Sequence, residues 1–598
     1  LQIHTVAAGG GSILKWENGL FHAGPESASA HPGPACYKKG GPLTITDANL
    51  FLGRLVKSQF PNIFGPNADE PLDDQTTTEK FIELTKVINK DTGKNFTPQQ
   101  VALGFLKVAN ETMSRSIREV TEARGFATKE HDLTSFGGAG GQHCCAIAKN
   151  LGINRIIIHK YSSILSAYGM TLADNSTEFR EPFKGDLNQE SLQNVLEACK
   201  GLEQKAKTEL EPQLIDSSSV KLKTKISLNL KYRNSNTLFA VEADEDDFLN
   251  TDFEAKFLKQ HEREFGFTLP TPIIIDSIIV KSIINTNESN AKVAINEELS
   301  KITKTTPAPS TTQLVNFESG QLESKVFHLK DLSPGSIING PALIIDETQT
   351  LLLEPNTTAT ILSNHIVITV DSDSQTTLKE EISSDTPLEQ ADPIILSVFG
   401  HRFMSIAEQM GRTLQRTSVS TPIKERLDFS CAIFGPDGGL VANAPHIPVH
   451  LGSMQYAIQY QHDLWLGKLK PGDVLVSNHP EAGGTHLPDI TVITPVFFQD
   501  EIVFYVASRG HHQDIGGIGV TAMIPNSKEL WQEGVSIKSF KLVSGGKFDE
   551  KGIKRIFEEP AKYPGSSATR NLHNNLSDLK AQISANQRGT LLMQALFE

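Results

Sequence analysis

The sequence predicts a multidomain chain of α/β and β-rich architecture, and three observations predict it. At 598 residues the chain exceeds what one core supports, and roughly 150 residues per domain suggests about three to five domains. Residues 133–159 follow a strand, glycine loop, helix, strand order, which is the α/β pattern. Beyond Lys221 the texture changes to repeated β-type runs bounded by turn residues.

The opening QIHTVAA reads as a strand ahead of Gly9, Gly10, Gly11 and Ser12, and alternation continues through Leu14, Trp16 and Leu20. A Pro/Gly-rich loop at His31-Pro32-Gly33-Pro34 precedes Thr46-Asp47-Ala48-Asn49. A helix is expected from Thr97 as N-cap and Pro98 as first helical residue, with Val101, Phe105, Val108, Met113, Ile117 and Val120 on its apolar stripe and Gly125 at its end. Residues 133–136 read as a strand, 137–141 as a glycine loop, 142–150 as a short helix and 155–159 as a buried strand. Residues 185–215 are helical in pattern. Strands follow at 224–232, 238–242, 273–284, 342–345 and 348–353. The polar, acidic run 371–392 reads as a linker, and 398–414 as a helix with Ile406, Met410 and Leu414 on one stripe. The expected domain boundaries are therefore 1–177, 178–370, the linker, and 393–598.

Composition excludes several classes. Hydrophobic residues at 38% and charged residues at 21% fit a soluble globular chain. A net charge of −14 leaves no basic footprint for nucleic acid. Apolar runs of roughly 18 residues, which a membrane span needs, do not occur. The five cysteines are sparse and form no CxxC pair, which fits a reducing, cytoplasmic setting better than a disulfide scaffold.

The densest chemistry lies in the segment SNHPEAGGTHLPDITVITPVFFQDEIVFYVASRGHHQDIGG, which carries His479, His486, Asp489, His511, His512 and Asp514. Two strand-like runs, 490–498 and 502–508, are joined at Gln499-Asp500-Glu501. If the turn centres on Asp500, antiparallel partners have numbers summing to about 1000. Asp489 then faces His511, and His486 lies near Asp514. Pro488 interrupts regular pairing and lets His486 and Asp489 point to one side. Two imidazoles and a carboxylate leave open positions on a divalent ion such as Mn²⁺, Zn²⁺ or Fe²⁺ in a hydrolytic role. Asp514, His512 or Glu481 could orient the ligands or act as a base. The competing reading is a set of solvated or hydrogen-bonded turn residues.

Gly9, Gly10, Gly11 and Ser12, and later Gly137, Gly138, Gly140 and Gly141, form two loops able to cradle phosphate. Neither is a Walker A or Rossmann sequence, and tight connection is the alternative for each. His143, Cys144 and Cys145 allow a Cys–His nucleophile, although small residues packing a first helical turn fit better.

The segments HTVAAGGGS, HPGPACYKKGGPLTITDANLFLGRL and SFGGAGGQHCCAIAKNLGI closely resemble the hydantoinase A/oxoprolinase family. The segments IKERLDFSCAIFGPDGGLVANAPHIPVHLGSM, GDVLVSNHPEAGGTHLPDITVITPVF, SRGHHQDIGG and SSATRNLHNNLSDLKAQISANQRG resemble the hydantoinase B family. Coverage is weakest over 178–392. The A-before-B order on one chain resembles the eukaryotic type. The resemblance implies a partial actin-like ATPase half, a β-rich segment and a partial hydantoinase B-type α+β half. It implies ATP with Mg²⁺ at the two glycine loops, with Asp47 a polar contact there, and a divalent metal on His486, Asp489 and His511. Glu425, Arg426, Asp428, His446 and His450 lie in family-like motifs and become active-site candidates beside His512 and Asp514. The implied reaction is hydrolysis of 5-oxo-L-proline to L-glutamate coupled to ATP, in which phosphorylation of the unreactive amide oxygen precedes attack by water. The implied partner is a small cyclic amide, and the implied full-length parent is a homodimer.

The chain opens at Leu1 without methionine and ends within an expected helix, so it reads as an internal fragment. The Asp-Gly-Gly-Thr-type first phosphate loop of an actin-like ATPase would precede Leu1, which leaves the ATP site expected to be incomplete. An ATP-dependent carboxylase of the acetone or acetophenone type and a non-catalytic fragment are the alternatives.

Overall fold

The structure, a computed structural model, describes residues 4–122, 126–173, 175–210, 212, 221–233, 235, 237–244, 247–265, 268, 271–285, 295–371, 392–521 and 523–597. The chain divides into two compact units. One comprises Leu1–Glu122, Phe126–Ala173 and Asn290–Arg402, and the other Ala123–Gly125, Asp174–Ser289 and Phe403–Glu598.

In the first unit, strands Ser12–Glu17 and Leu20–Ser27 form a hairpin. It turns at Asn18 and Gly19, both with positive φ (53° and 76°), as the two-residue turns matched to strand twist require. Residues 4–8, expected as a strand, have no regular structure, and the first strand begins only at Ser12. Helices Ile45–Phe51, Asp74–Thr92 and Pro98–Glu122 bury Ile45, Phe81, Val101, Phe105 and Val108 around Leu14 and Phe21 of the hairpin. The Pro98 helix starts as its sequence predicts. Thr97 Oγ1 accepts the Gln100 N–H at 3.2 Å while Gln100 Oε1 accepts the Thr97 N–H at 2.8 Å, a reciprocal cap. Its expected end at Gly125 lies outside the described residues.

A five-stranded sheet runs in the order Ile337–Asn339, Thr357–Ile361, His365–Val370, Arg155–His159, Leu133–Ser135. Helix Cys144–Leu151 packs Cys144, Cys145, Ile147 and Ala148 onto the core it shares with Ile156, Ile158, Ile366 and Ile368. A second sheet, Gln349–Leu353, Ala342–Asp346, Gly320–His328 and Thr311–Phe317, completes the unit. The β-rich region expected over 178–370 is thus divided. Its later strands belong here because His365–Val370 pairs antiparallel with Arg155–His159, a partner that alternation alone cannot name. The linker expected over 371–392 lies almost wholly outside the described residues.

The earlier strands, Asn175–Asp186, Ile273–Asn285, Lys221–Tyr232 and Phe239–Glu242, form a four-stranded antiparallel sheet of the second unit. Helices Gln189–Leu210 and Phe253–Phe265 cover it through Val195, Cys199, Leu202 and Phe257. The same unit contains a seven-stranded antiparallel sheet. Its order is Leu440–Asn443, Phe429–Phe434, Glu501–His511, Asp489–Phe498, Val474–Ser477, Phe540–Ser544, Lys547–Phe548. Successive strand side chains face opposite sides, and the two faces take different helices. Ile493, Tyr505 and Ala507 pack with Met454 and Ile458 of helix Pro448–Trp465. Val496 and Val506 pack with Ala581 and Ala585 of helix Leu572–Gln594 and with Ile406 and Met410 of helix Pro393–Thr417.

Asp47, expected as a nucleotide contact, is a structural residue. It is fully buried, and its carboxylate accepts the N–H groups of Ala35 (3.0 Å), Cys36 (2.7 Å) and Thr44 (2.8 Å) and the Thr44 hydroxyl (2.9 Å). It closes the proline-rich loop onto the helix it caps. Asp47→Ala leaves three buried backbone N–H groups and the Thr44 hydroxyl without this acceptor, and each unsatisfied N–H costs about 1–3 kcal/mol. The variant is expected to lose about 3 kcal/mol or more in urea unfolding, and an unchanged midpoint would contradict this role.

Candidate metal centre

The centre is built on one hairpin. Strands Asp489–Phe498 and Glu501–His511 turn at Gln499 and Asp500, both at positive φ (48° and 65°), and pair with Asp489 opposite His511 and Thr491 opposite Arg509. The hairpin arithmetic holds. Asp489 Oδ1 receives His511 Nδ1 at 3.0 Å, and Oδ2 receives His486 Nδ1 at 2.8 Å. The Asp489 N–H bonds back to the His486 carbonyl at 3.0 Å, so the turn around Pro488 brings residues three apart to one side. Ligand atoms of His486, Asp489 and His511 all lie within 4.8 Å of one another.

Two further groups close around Asp489. His450, buried on helix Pro448–Trp465, places Nε2 at 3.1 Å from Oδ2, and the Thr485 hydroxyl donates to the same oxygen at 2.6 Å. Burial opposes ionisation of Asp489, but hydrogen bonds from His450, His486 and His511 outweigh it and hold the carboxyl well below the usual range. In return the bond to Asp489 raises the His486 imidazole against the effect of burial. A neutral imidazole that donates through one nitrogen keeps a lone pair on the other, which a cation can take. The donor set therefore fits a divalent ion.

Arg509 is a site residue that no sequence motif marks. Its side chain is fully buried and donates to Thr491 Oγ1 (2.7 Å), the Gly483 carbonyl (2.8 Å), the His450 carbonyl (3.4 Å) and Ser453 Oγ. Burial draws the guanidinium down to about 10, which leaves it charged at neutral pH. Strand parity places it, since position 509 shares its strand face with 511.

Of the other candidates, Asp428 reaches the cluster. Its Oδ1 lies 3.9 Å from His450 Nε2 and its Oδ2 3.8 Å from His511 Nδ1, and the side chain is 37% exposed. His512 does not reach it. It is buried on the opposite face, bonded to Gln582 Oε1 (3.1 Å) and Asn575 Nδ2 (3.1 Å). Asp514 is not beside His486. It accepts from the Arg570 guanidinium at 2.9 Å and from the backbone N–H groups of Arg570 and Gly516. Glu481 forms a surface ion pair with Lys538 at 2.6 Å. His446 accepts the Cys431 N–H at 3.0 Å, and burial lowers it to about 4. Glu425 and Arg426 lie on the turn leading to Asp428, outside the cluster of His486, Asp489, His511, His450 and Asp428.

The hydantoinase/oxoprolinase family profile matches residues 1–179 and the hydantoinase B/oxoprolinase profile matches 392–598. The chain belongs to the hydantoinase/oxoprolinase family. It is 53% identical to 5-oxoprolinase PfmaA of Pestalotiopsis fici and 51% identical to 5-oxoprolinase of Saccharomyces cerevisiae, each over 100% of this chain and 46% of the relative. The chain therefore spans about half the length of these relatives. The crystal structure of ATP-dependent caprolactamase from Pseudomonas jessenii is similar at a TM-score of 0.50 and 25% identity, over 62% of this chain and 53% of that one.

The family's B-type region holds the whole histidine cluster, and its A-type region holds both glycine loops, which converge. A Cβ added at Gly10 would lie 2.8 Å from Thr46 Oγ1 and 3.8 Å from the Ala139 Cβ between Gly138 and Gly140. Gly9 N–H bonds Ser12 Oγ at 3.0 Å, and Asn49 Nδ2 bonds Gln142 Oε1 at 2.9 Å beside the second loop. Gly11 and Gly140 are also crowded, with added Cβ atoms at 2.9 Å from Ser27 Oγ and Ser135 Oγ, while the Gly141 position abuts Leu351. Gly137 takes a positive φ of 88°. Cys144 and Cys145 are buried packing residues; a bond from Cys144 and burial raise the Cys145 thiol well above its usual range, so a Cys–His nucleophile has no support.

Arg509→Met strips four acceptors of a buried partner and is expected to cost about 3 kcal/mol or more. Arg509→Lys should not restore it, because an ammonium cannot span the same fork. Urea unfolding of both variants checks this, and a lysine variant as stable as wild type would contradict it.

Proposed function

We propose that the full-length protein opens 5-oxo-L-proline to L-glutamate by hydrolysis coupled to ATP, and that this chain carries its metal centre and part of its nucleotide side. The observation that carries the reaction class is the convergence of His486, Asp489 and His511 ligand atoms within 4.8 Å. The substrate is supported by about half identity, across the whole chain, to proteins named 5-oxoprolinase. A structural relative named as an ATP-dependent caprolactamase adds support for a cyclic amide.

His486, Asp489 and His511 would hold a divalent ion, Mn²⁺, Zn²⁺ or Fe²⁺. Such an ion supplies Lewis acidity and lowers the pKa of bound water. His450 orients Asp489 from the helix side, and Asp428 is the solvent-reachable carboxylate beside His450 and His511, suited to taking up and returning a proton. Gly9–Ser12 and Gly137–Gly141 would approach the phosphates of ATP with its Mg²⁺, in a nucleotide half read as part of an actin-like fold. Their convergence near Gly10 and Ala139 supports that reading. Five buried, unbridged thiols support a cytoplasmic setting. Among the described residues no helix is long and apolar enough to cross a membrane.

The full-length protein is expected to form glutamate from 5-oxoproline only with ATP. Bicarbonate-dependent turnover without glutamate would overturn the reaction class. His486→Ala and His511→Ala should abolish bound metal and activity together. Metal analysis giving wild-type stoichiometry in either variant excludes this ligand set.

A further inference from the structure

Helix Leu572–Gln594 carries a stripe of buried polar side chains, Asn575, Asp578, Gln582 and Asn586, at the three-to-four-residue spacing of one helix face. Apolar residues are expected on a face that packs against a sheet. Here each amide instead bonds to the metal-bearing hairpin or its continuation. Gln582 Nε2 donates to the Ile490 carbonyl (2.9 Å) on one strand and to the Ser508 carbonyl (3.1 Å) on the other. Asn586 Nδ2 donates to the Val492 carbonyl (3.0 Å) and to Thr494 Oγ1 (3.2 Å), one turn further on. Asn575 Nδ2 donates to the Asp514 carbonyl at 2.9 Å. Gly510 lies beside this contact, where an added Cβ would fall 3.6 Å from Gln582 Nε2, an ordinary contact, and 2.9 Å from Ile423.

These bonds determine the state of His512. A carbonyl oxygen only accepts, so the Gln582 and Asn575 nitrogens must face the carbonyls. Gln582 then presents Oε1 to His512 Nε2, which must donate. Asn575 presents its N–H to His512 Nδ1, which must accept. Both ring nitrogens are committed in one tautomer between two helix amides. Its chain neighbour His511 points to the other face, to Asp489.

We propose that Gln582 and Asn575 are positioning residues that fix, through His512, the strand end carrying His511 and thereby set metal affinity. This rests on the metal reading of the His486–Asp489–His511 cluster. Residues that orient metal ligands in this way typically change affinity about 10–100-fold when removed. Asn586 is the internal control, because it makes the same kind of helix-to-strand bonds without a link to His512.

The test measures Mn²⁺ and Zn²⁺ affinity of the intact chain by chelator competition, with urea unfolding alongside. Gln582→Met and Asn575→Ser are expected to weaken binding at least about tenfold. Asn586→Leu should lower stability while leaving affinity within about twofold of wild type. Selective ¹⁵N labelling of histidine should show the Nε2–H tautomer at His512. If Gln582→Met does not fold, Asn575→Ser carries the comparison. Wild-type affinity in the folded Gln582 or Asn575 variants, or an equal loss in Asn586→Leu, overturns the proposal while leaving the ligand set standing. A wild-type chain that takes up neither metal overturns both.

Discussion

The Asp489 carboxylate, buried and ringed by His450, His486 and His511, is the constraint on which the second unit's chemistry depends. An ionised carboxylate in an apolar core is costly unless its oxygens are satisfied. Here every oxygen meets imidazole or hydroxyl donors drawn from a helix, a turn and the opposite strand. Those three elements must arrive together for the charge to be tolerated. A site assembled this way is held to one geometry by electrostatics.

That geometry is supported from both faces of the sheet by different means. On the face of Asp489, Thr491, Arg509 and His511, one buried guanidinium joins the Pro448–Trp465 helix, the Gly483 loop and the strand. On the other face, neutral amides of helix Leu572–Gln594 bond strand carbonyls. The guanidinium lies where the Asp489 carboxylate is near and offsets its charge, and the amides lie where the helix meets strand carbonyls. The division explains why His511 and His512, adjacent in sequence, differ in surroundings. Strand alternation sends one to the ligand cluster and the other to the helix.

Much of the centre was legible because its key contacts are local to a hairpin. Two short strands and a turn at Gln499-Asp500 are enough to pair Asp489 with His511, and Pro488 accounts for His486. Hairpin counting ends before His512 and Asp514, and both lie outside the cluster. Beyond His511 the chain leaves the ladder, and Asp514 is taken by Arg570, which lies 56 residues away. His450, Arg509 and the helix amides depend on packing between distant segments; Gln582 meets Ile490 across 92 residues. The division of the β-rich region has the same cause, since alternation identifies a strand and leaves its partner open.

The first unit shows how one motif separates chemistry from scaffold. In the segment TDANL the carboxylate of Asp47 is consumed by the amides of Ala35, Cys36 and Thr44, so the acidic residue that a ligand would seem to require is part of the frame. Its neighbour Thr46 bonds the Gly10 carbonyl, and Asn49 bonds Gln142. The frame that Asp47 stabilises is therefore what holds the two glycine loops beside each other. Backbone N–H groups are poor ligands while the chain bearing them is free to move, and become effective when oriented in advance. The polar side chains of this segment bond within the frame and so hold the two loops in place, with their backbone N–H groups oriented by it.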